Sequence, residues 1–445
     1  MTQQEPHTQR DASTVDVYPT KDLFISMLVK DITLIPAIED LVDNSVDGAR
    51  VFRREGDFTG LTIRIETTPE RFRITDNCGG IPIDVARHYA FRFGRDENSP
   101  VTHHSIGQFG VGMKRALFKL GSNFAVESTA AVSHFQLTVD VEQWRRRTDW
   151  NFRFDEFDET TAHTDDDRTT TITVTGLHDQ IKAAFATDSF ASSLLRSLEE
   201  SHRESLANGL AITVNAIPAT VAPLTILASD ELRPAYFEGV IEEPGEADVN
   251  YKIYVGLGEK DSEEAGWYIF CNGRLIVGPE QTNVTGWGEG RGKTIPNYHG
   301  EFSRFRGYVF FESDSPRLLP WNTMKTGLEV DSPRYQAVRQ KMILMMRPVI
   351  NFLNRISTEV GRVGESGPLQ EKITSADTVR LRDVEPRDTF LAPKMGAPDP
   401  VLKPVRITYT RPAEQYEQVK RLLKVKKPRE VGEGTFDYYY TMEVE

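Results

Sequence analysis

Cysteine is nearly absent: Cys78 and Cys271 are the only two in 445 residues. They stand far apart, which leaves neither a disulfide framework nor a zinc-finger ligand set, and a reducing cytoplasm is the expected home. Long apolar runs are missing as well. No stretch of about 18 apolar residues occurs, so no membrane-spanning helix and no membrane partner are expected. The opening MTQQEPHTQRDAST is polar and lacks the apolar core of a secretory signal. Nor is there a surplus of basic charge. The 53 Lys and Arg are outnumbered by 66 Asp and Glu, for a net charge of −13. That argues against a surface coated in basic charge for nucleic acid, though not against a local patch. The run Lys420, Arg421, Lys424, Lys426, Lys427 and Arg429 reads as a solvated helix face and turn, with nucleic-acid contact as the alternative.

What is present is enough for ordinary buried cores, since 39% of residues are hydrophobic. At about 100–200 residues per domain, the length predicts two or three. An arm covers 1–16, a first domain 17–195, a second domain 196–360, a Pro-, Gly- and charge-rich linker 361–405, and a small unit 406–445. From Leu34 to Arg50 a helical stripe appears in Ile35, Ile38, Leu41, Val42 and Val46. Period-two runs at 61–66, 71–75, 123–129, 134–140 and 169–175 predict strands, and a helix is expected after Gly112. This order predicts an α+β layer with helices on one face of a mostly antiparallel sheet. Further strands are expected at 210–215, 251–257, 267–277 and 306–312, and a long helix from Ser332 to about Ser357. The last unit is expected to hold one amphipathic helix and an aromatic strand, TFDYYY.

Three segments carry the chemistry. In IPAIEDLVDNSVDGAR (35–50), helical spacing turns Asp40, Asn44 and Asp47 to one side. Two carboxylates and an amide oxygen there suit magnesium, which prefers oxygen ligands and retains water, and a water nucleophile. By itself the segment fits a solvated polar face better. In RITDNCGGIP (73–82), a strand ends at Asp76 and two glycines allow tight backbone approach. Asp76 could accept a hydrogen bond from an exocyclic amine, or simply open an ordinary turn. In SIGQFGVGMKRALFKLG (105–121), Gly107, Gly110 and Gly112 precede a helix whose first turn carries Lys114. A helix N-terminus offers unpaired N–H groups and a positive dipole end to phosphate. No strand precedes this loop and no acidic residue follows at ribose distance, which counts against a dinucleotide site.

Taken in order, these segments resemble the motifs of the GHKL ATPases: gyrase, heat-shock chaperones, histidine kinases and MutL. Asp40-LVD-Asn44-SV-Asp47 looks like the N-box, Asp76-NCG-Gly80 the adenine box, and Gly107-QFGV-Gly112 the phosphate box that hinges the lid. The fuller string most resembles the Microrchidia branch and its bacterial relatives. The likeness covers about 20–180, and more weakly reaches 350. It implies a Bergerat-type α/β sandwich followed by a ribosomal-S5-like α/β transducer domain. It implies ATP and magnesium as ligands, with Asn44 on the metal and Asp40 orienting or deprotonating the attacking water. Asp76 would take the adenine amine, with Gly80, Ile81 and Thr170 nearby. Thr170 shares its strand with Thr169 and Thr171, which compete for that role. Gly107, Gln108, Phe109, Gly110, Val111, Gly112, Met113 and Lys114 would cradle the phosphates, with Asp47 beside them. Residues 84–106 would form the lid, with Phe91, Arg92, Phe93 and Arg95 as hinge and phosphate contacts and His103 and His104 as ordinary polar residues. WYIFCNGRLIVG (267–278) is similar to the transducer hairpin. LPWNTMKTGLEVDSP (319–333) resembles the loop that brings a lysine, here Lys325, to the terminal phosphate.

Two departures matter. The usual general base is a Glu four residues before the Asn, and Asp40 stands there, one methylene shorter. Glu39 lies about 100° away around the helix, so Asp40 is preferred and slow hydrolysis is expected. Cys78 stands where the pattern has its first glycine. The resemblance implies an ATP-gated dimeric clamp, with DNA handling or mobile-element defence beside a partner nuclease or helicase. A chaperone-like ATPase and a non-hydrolysing nucleotide sensor remain the alternatives. A histidine kinase is disfavoured, because no dimerising helix with a phospho-acceptor His precedes the domain.

Overall fold

The computed structural model describes residues 19–94, 104–107, 110–221, 223–289, 295–363, 367–393 and 406–443. The expected arm at 1–16 lies outside them. The chain packs as two units, Met1–Lys394 and Met395–Glu445.

The larger unit opens with helices α1 (Lys21–Lys30) and α2 (Leu34–Phe52). The hydroxyl of Thr20 caps α1, accepting from the Leu23 N–H at 3.3 Å. In α2, Ile38, Leu41, Val42, Val46 and Ala49 are fully buried, while Ile35 is half-buried at the stripe's edge. Burying each such aliphatic side chain contributes about 1.5–3 kcal/mol, more than the modest helix propensity of the β-branched residues costs. Strands β1 (Thr62–Thr67) and β2 (Phe72–Asp76) follow, then a short helix α3 (Ile83–Val85) that widens into a turn over Ala86–Ala90. Next come α4 (Gly112–Leu120), β3 (Gly121–Ala130), β4 (Ser133–Asp140), α5 (Val141–Arg146), β5 (Phe154–Asp158) and β6 (Thr169–Leu177). Helices α6 (Asp179–Phe185), α7 (Asp188–Ser201) and α8 (Arg203–Ala207) lead to β7 (Ala211–Val214) and β8 (Ile217–Pro218).

These eight strands form one sheet in the order β5-β4-β3-β6-β2-β1-β7-β8. Its pairs are antiparallel except β1 with β7, which run parallel. Period-two alternation sends Ile63, Ile65, Phe72, Ile74, Phe124, Val126, Ile172 and Val174 into the core, while Arg64, Glu66 and Glu127 on the opposite face are exposed. Helices α2 and α4 share that core. The mixed α+β architecture with one large sheet fits a GHKL ATPase fold. Register sets Asp76 opposite Thr170, and Thr170 opposite Ser128, in one row at the end of the inner face.

The chain then forms β9 (Thr225–Ala228), β10 (Ala235–Ile241), β11 (Val249–Leu257), β12 (Gly266–Cys271), β13 (Arg274–Glu280) and β14 (Phe305–Glu312). Five of these make a second sheet, β10-β11-β14-β12-β13. Helix α9 (Pro333–Val363) contributes Tyr335, Val338, Met342, Met346 and Val349 to the core. The segment expected as a linker is partly structured. It holds α10 (Pro368–Thr374) and β15 (Asp377–Arg380), which pairs with β9. Leu381 and Val384 there join a cluster with Tyr236, Tyr254, Tyr268, Phe270 and Tyr308 of the second sheet. Those apolar residues inside a polar composition explain why the segment docks.

The described residues of the smaller unit form two helices, α11 (Ala413–Leu423) and α12 (Pro428–Glu443). The expected strand TFDYYY is helical. Pro428 opens the helix, and the Glu430 carboxylate accepts from the Lys426 and Lys427 N–H groups at 2.9 Å each. Among the described residues no strand is present beside it. A helix satisfies its own backbone, which a lone strand cannot.

Candidate functional site

Helix α2 presents different residues to different sides. Asp40, Asn44 and Asp47 line a cavity of about 660 Å³, within the usual range of small-molecule sites. Glu39 and Asp43 point away from it. Glu39 accepts from Ser197 at 2.7 Å and Ser201 at 3.1 Å, both on α7, and pairs with Arg274 at 3.0 Å. Burial raises its carboxyl above the ordinary value, partly opposed by Arg274.

Opposite α2 stands the N-terminal turn of α4. Gly110, Val111, Gly112, Met113, Lys114 and Arg115 all line the cavity. Among the described residues, no side chain caps that turn. A Cβ on Gly112 would lie 3.1 Å from the Asp40 Cγ, so the helix end abuts the carboxylate closely. Asp47 organises the approach to the turn: it accepts from the Ser105 hydroxyl at 2.8 Å, the Ile106 N–H at 2.7 Å and the Gly107 N–H at 2.8 Å. Burial raises the Asp47 carboxyl, against Arg50 and these donors. Gln108 and Phe109 lie outside the described residues. Lys114 is buried and donates to the Ala90 carbonyl at 2.9 Å, and burial lowers its ammonium to about 7.

The loop 78–82 forms another wall. Cys78, Gly79, Gly80, Ile81 and Pro82 line the cavity, joined by Val51, Phe52, Tyr89 and Arg168. Gly80 has φ +71°, and a Cβ there would fall 1.9 Å from the Thr129 carbonyl oxygen, so only glycine fits. Cys78 is buried, and burial raises its thiol far above the ordinary value. Asp76 and Thr170 do not line the cavity. Asp76 sits beneath the loop, accepting from the Ser45 hydroxyl at 2.7 Å and the Cys78 N–H at 2.9 Å. Burial raises its carboxyl to about 6, against those two bonds. Thr170 shares a 3.0 Å hydrogen bond with Ser128. Ser128 also receives the Ile81 N–H at 2.8 Å, so the row behind the loop anchors it.

The lid expected at 84–106 is described only in part. Phe91 packs against Phe135 and Phe152, and Phe93 against Phe24, Trp144 and Trp150. Arg95 and His103 lie outside the described residues. His104 receives Arg50 at its carbonyl, and its N–H donates to Asp314 at 3.3 Å. Among the described residues, no cluster of three or more His, Cys, Asp or Glu could hold a metal.

Residues from the region of the second sheet complete the site. The loop 321–328 brings Lys325 into the cavity wall at φ +55°. Asn322 shapes that loop by accepting from the N–H groups of Met324 at 3.2 Å and Thr326 at 3.1 Å. Lys325 donates to Asp40 at 3.1 Å and to Asp43 at 2.6 Å. Arg274, at the β12–β13 turn, pairs with Asp43 and Glu39. Burial alone would raise Asp43, but chiefly Arg274 and Lys325 hold it well below the carboxylate range. Likewise Asp43 and Asp40 outweigh burial and raise Lys325. His202 is fully buried and burial drives its imidazole down to about 3, so it stays neutral. Asn272 donates to the Ser105 carbonyl at 2.9 Å, and Arg50 bridges the Asn272 and His104 carbonyls. The β12–β13 hairpin thereby touches both α2 and the start of the glycine loop.

Sequence reasoning missed Arg115, Asp43, Arg50 and His202. Asp43 lies three residues from Asp40, but nothing local says that its face meets another sheet. Arg115 adjoins Lys114, and its basic charge among apolar neighbours was the available signal.

A comparison with curated proteins gives no match. The family model of the histidine kinase-, DNA gyrase B-, and HSP90-like ATPases matches residues 32–171. The matched segment runs from the turn before α2 into β6 and supplies most of the cavity, which supports placing it in the GHKL superfamily of ATP-binding domains.

Proposed function

We propose that the protein binds Mg-ATP in the cavity between α2 and α4 and hydrolyses it slowly. The observation that carries this reading is the convergence of Asp40, Asn44, the uncapped end of α4 and Lys325 on one cavity. Asn44 fits magnesium: its side chain is exposed to the cavity and, among the described residues, makes no hydrogen bond. A nucleotide-bound magnesium needs only one or two protein oxygens, and when bound it supplies charge neutralisation at the phosphates. In the reaction, a water oxygen bonds to the terminal phosphorus as the bridging P–O bond breaks. The water's proton passes to Asp40 and ADP leaves. Lys325 would stabilise the charge that develops on the phosphoryl group. Asp76 would receive the adenine amine once the loop 78–82 shifts.

The second sheet with α9 would act as the transducer, its hairpin and Lys325 loop reporting the terminal phosphate. ATP would then close two copies into a clamp, with DNA handling or mobile-element defence as the setting. One observation favours a non-hydrolysing sensor as the second reading: both Asp40 oxygens are already engaged by cations. Calorimetric titration of ATP with and without magnesium, and phosphate release with and without DNA, test the proposal. Binding without turnover selects the sensor, and no binding in either condition rejects the site.

A further inference from the structure

Arg115 is buried, at 8% exposure, in the wall of the nucleotide cavity. A guanidinium carries five N–H donors, yet among the described residues only one contact is made, from Nη2 to Asp40 Oδ2 at 2.6 Å. Its Nε is buried without any partner among them. A cavity-lining guanidinium with a single carboxylate contact has donors left to take a second acceptor when a ligand enters. Asp40 in turn is held from three sides: Arg115 at Oδ2, Lys325 at Oδ1, and the uncapped end of α4 against its Cγ. Two cations and a helix N-terminus around one anion are what a phosphate site offers. Here an internal carboxylate fills the place.

We propose that Arg115 is a terminal-phosphate-binding residue, and that in the nucleotide-free protein the Asp40 carboxylate occupies the phosphate's place on Arg115 and Lys325. The inference rests on reading the cavity as an ATP site. On entry, the terminal phosphate takes up Arg115 and draws Lys325 from Asp40, while Asp43 keeps its share of the lysine at 2.6 Å. Asp40 then has an oxygen open to water. A diphosphate does not reach this place, so it neither competes with Asp40 nor gains from Arg115.

The test measures affinity for a non-hydrolysable ATP analogue and for ADP in wild type, Asp40→Asn, Arg115→Met and Arg115→Lys. Removing the competing charge in Asp40→Asn should tighten the triphosphate analogue about tenfold, the equivalent of about one charged hydrogen bond, with ADP unchanged. Arg115→Met should weaken the analogue about tenfold and spare ADP, on the same basis, and Arg115→Lys should restore most of the loss. Equal effects on both nucleotides would mean that Arg115 is only structural and would overturn the inference. So would an Asp40→Asn variant that binds the analogue no better than wild type. Should Arg115→Met not fold, Arg115→Lys and Asp40→Asn still decide between these outcomes. Failure of wild type to bind either nucleotide rejects the ATP reading itself, and this inference with it.

Discussion

The ammonium of Lys325 lies 3.1 Å from the Asp40 carboxylate, although 285 residues separate them along the chain. Both side chains are buried, Asp40 on α2 beside the first sheet and Lys325 on a loop that follows the last strand of the second. Their meeting joins the cavity wall on α2 to the loop that follows the second sheet.

Lys325→Ala should therefore bind nucleotide with modest loss, hydrolyse it slowly and dimerise poorly. A ligand shifts a conformational equilibrium only through its differential affinity for the two states, so a non-hydrolysable ATP analogue should raise the mass and ADP should not. Light scattering reads this. A mass independent of nucleotide would rule out the ATP-gated dimer.

Turnover separates Asp40 from its neighbour. Asp40→Ala should bind Mg-ATP without hydrolysing it, and Asn44→Ala should lose the magnesium-dependent part of binding. Glu39→Ala should retain turnover, because Glu39 faces Ser197, Ser201 and Arg274 rather than the cavity. Loss of phosphate release in Glu39→Ala but not in Asp40→Ala would reverse the assignment.

Asp76→Asn should abolish or severely weaken ATP binding, read by calorimetry, since an amide can present a donor where an acceptor is needed. Its carboxyl, raised to about 6 by burial against an unperturbed 3.8, also sets a pH dependence. The raised value makes its contribution to folding stability fully present below about 3.8 and lost as pH rises through about 6. Urea unfolding between those limits should show this slope in wild type and not in Asp76→Asn.

Lys114 predicts a proton signature. Burial lowers its ammonium to about 7, so much of it is neutral at pH 8. A bound phosphate favours the charged form, so binding should take up a proton near pH 8 and weaken as pH rises. Calorimetry in two buffers of different ionisation enthalpy measures the uptake. Lys114→Met should abolish it.

Arg274→Met should destabilise the fold by about 3–5 kcal/mol, because it removes the guanidinium that two buried carboxylates, Asp43 and Glu39, share. The Asp43 carboxyl is depressed, so its stabilisation is present above its unfolded value of 3.8 and lost as pH falls through the depressed one. Chemical denaturation in the variant, and acid unfolding in wild type, test both statements.

The sequence by itself determined the local elements and one side of the site. Period-two runs named β1, β2, β3, β4 and β6, because alternate burial on a half-covered sheet leaves a pattern readable over a few residues. Helical spacing turned Asp40, Asn44 and Asp47 together and turned Glu39 away. The glycines of 79–80 and 107–112 marked where backbone approaches closely, and the Thr129 oxygen does crowd Gly80. Tertiary structure alone decided the rest. Asp43, Arg274 and Lys325 form one buried charge cluster beside the neutral His202, and no periodicity encodes a partner more than 150 residues away. The segment TFDYYY carries strand propensity yet folds as a helix, because backbone pairing needs a neighbour that the local sequence cannot supply. Asp76 sits beneath its loop rather than in the cavity wall, since its depth depends on how Ser45, Cys78 and Ser128 hold that loop. Propensity and spacing act within a few residues, whereas burial and ion pairing depend on which surfaces the chain brings together.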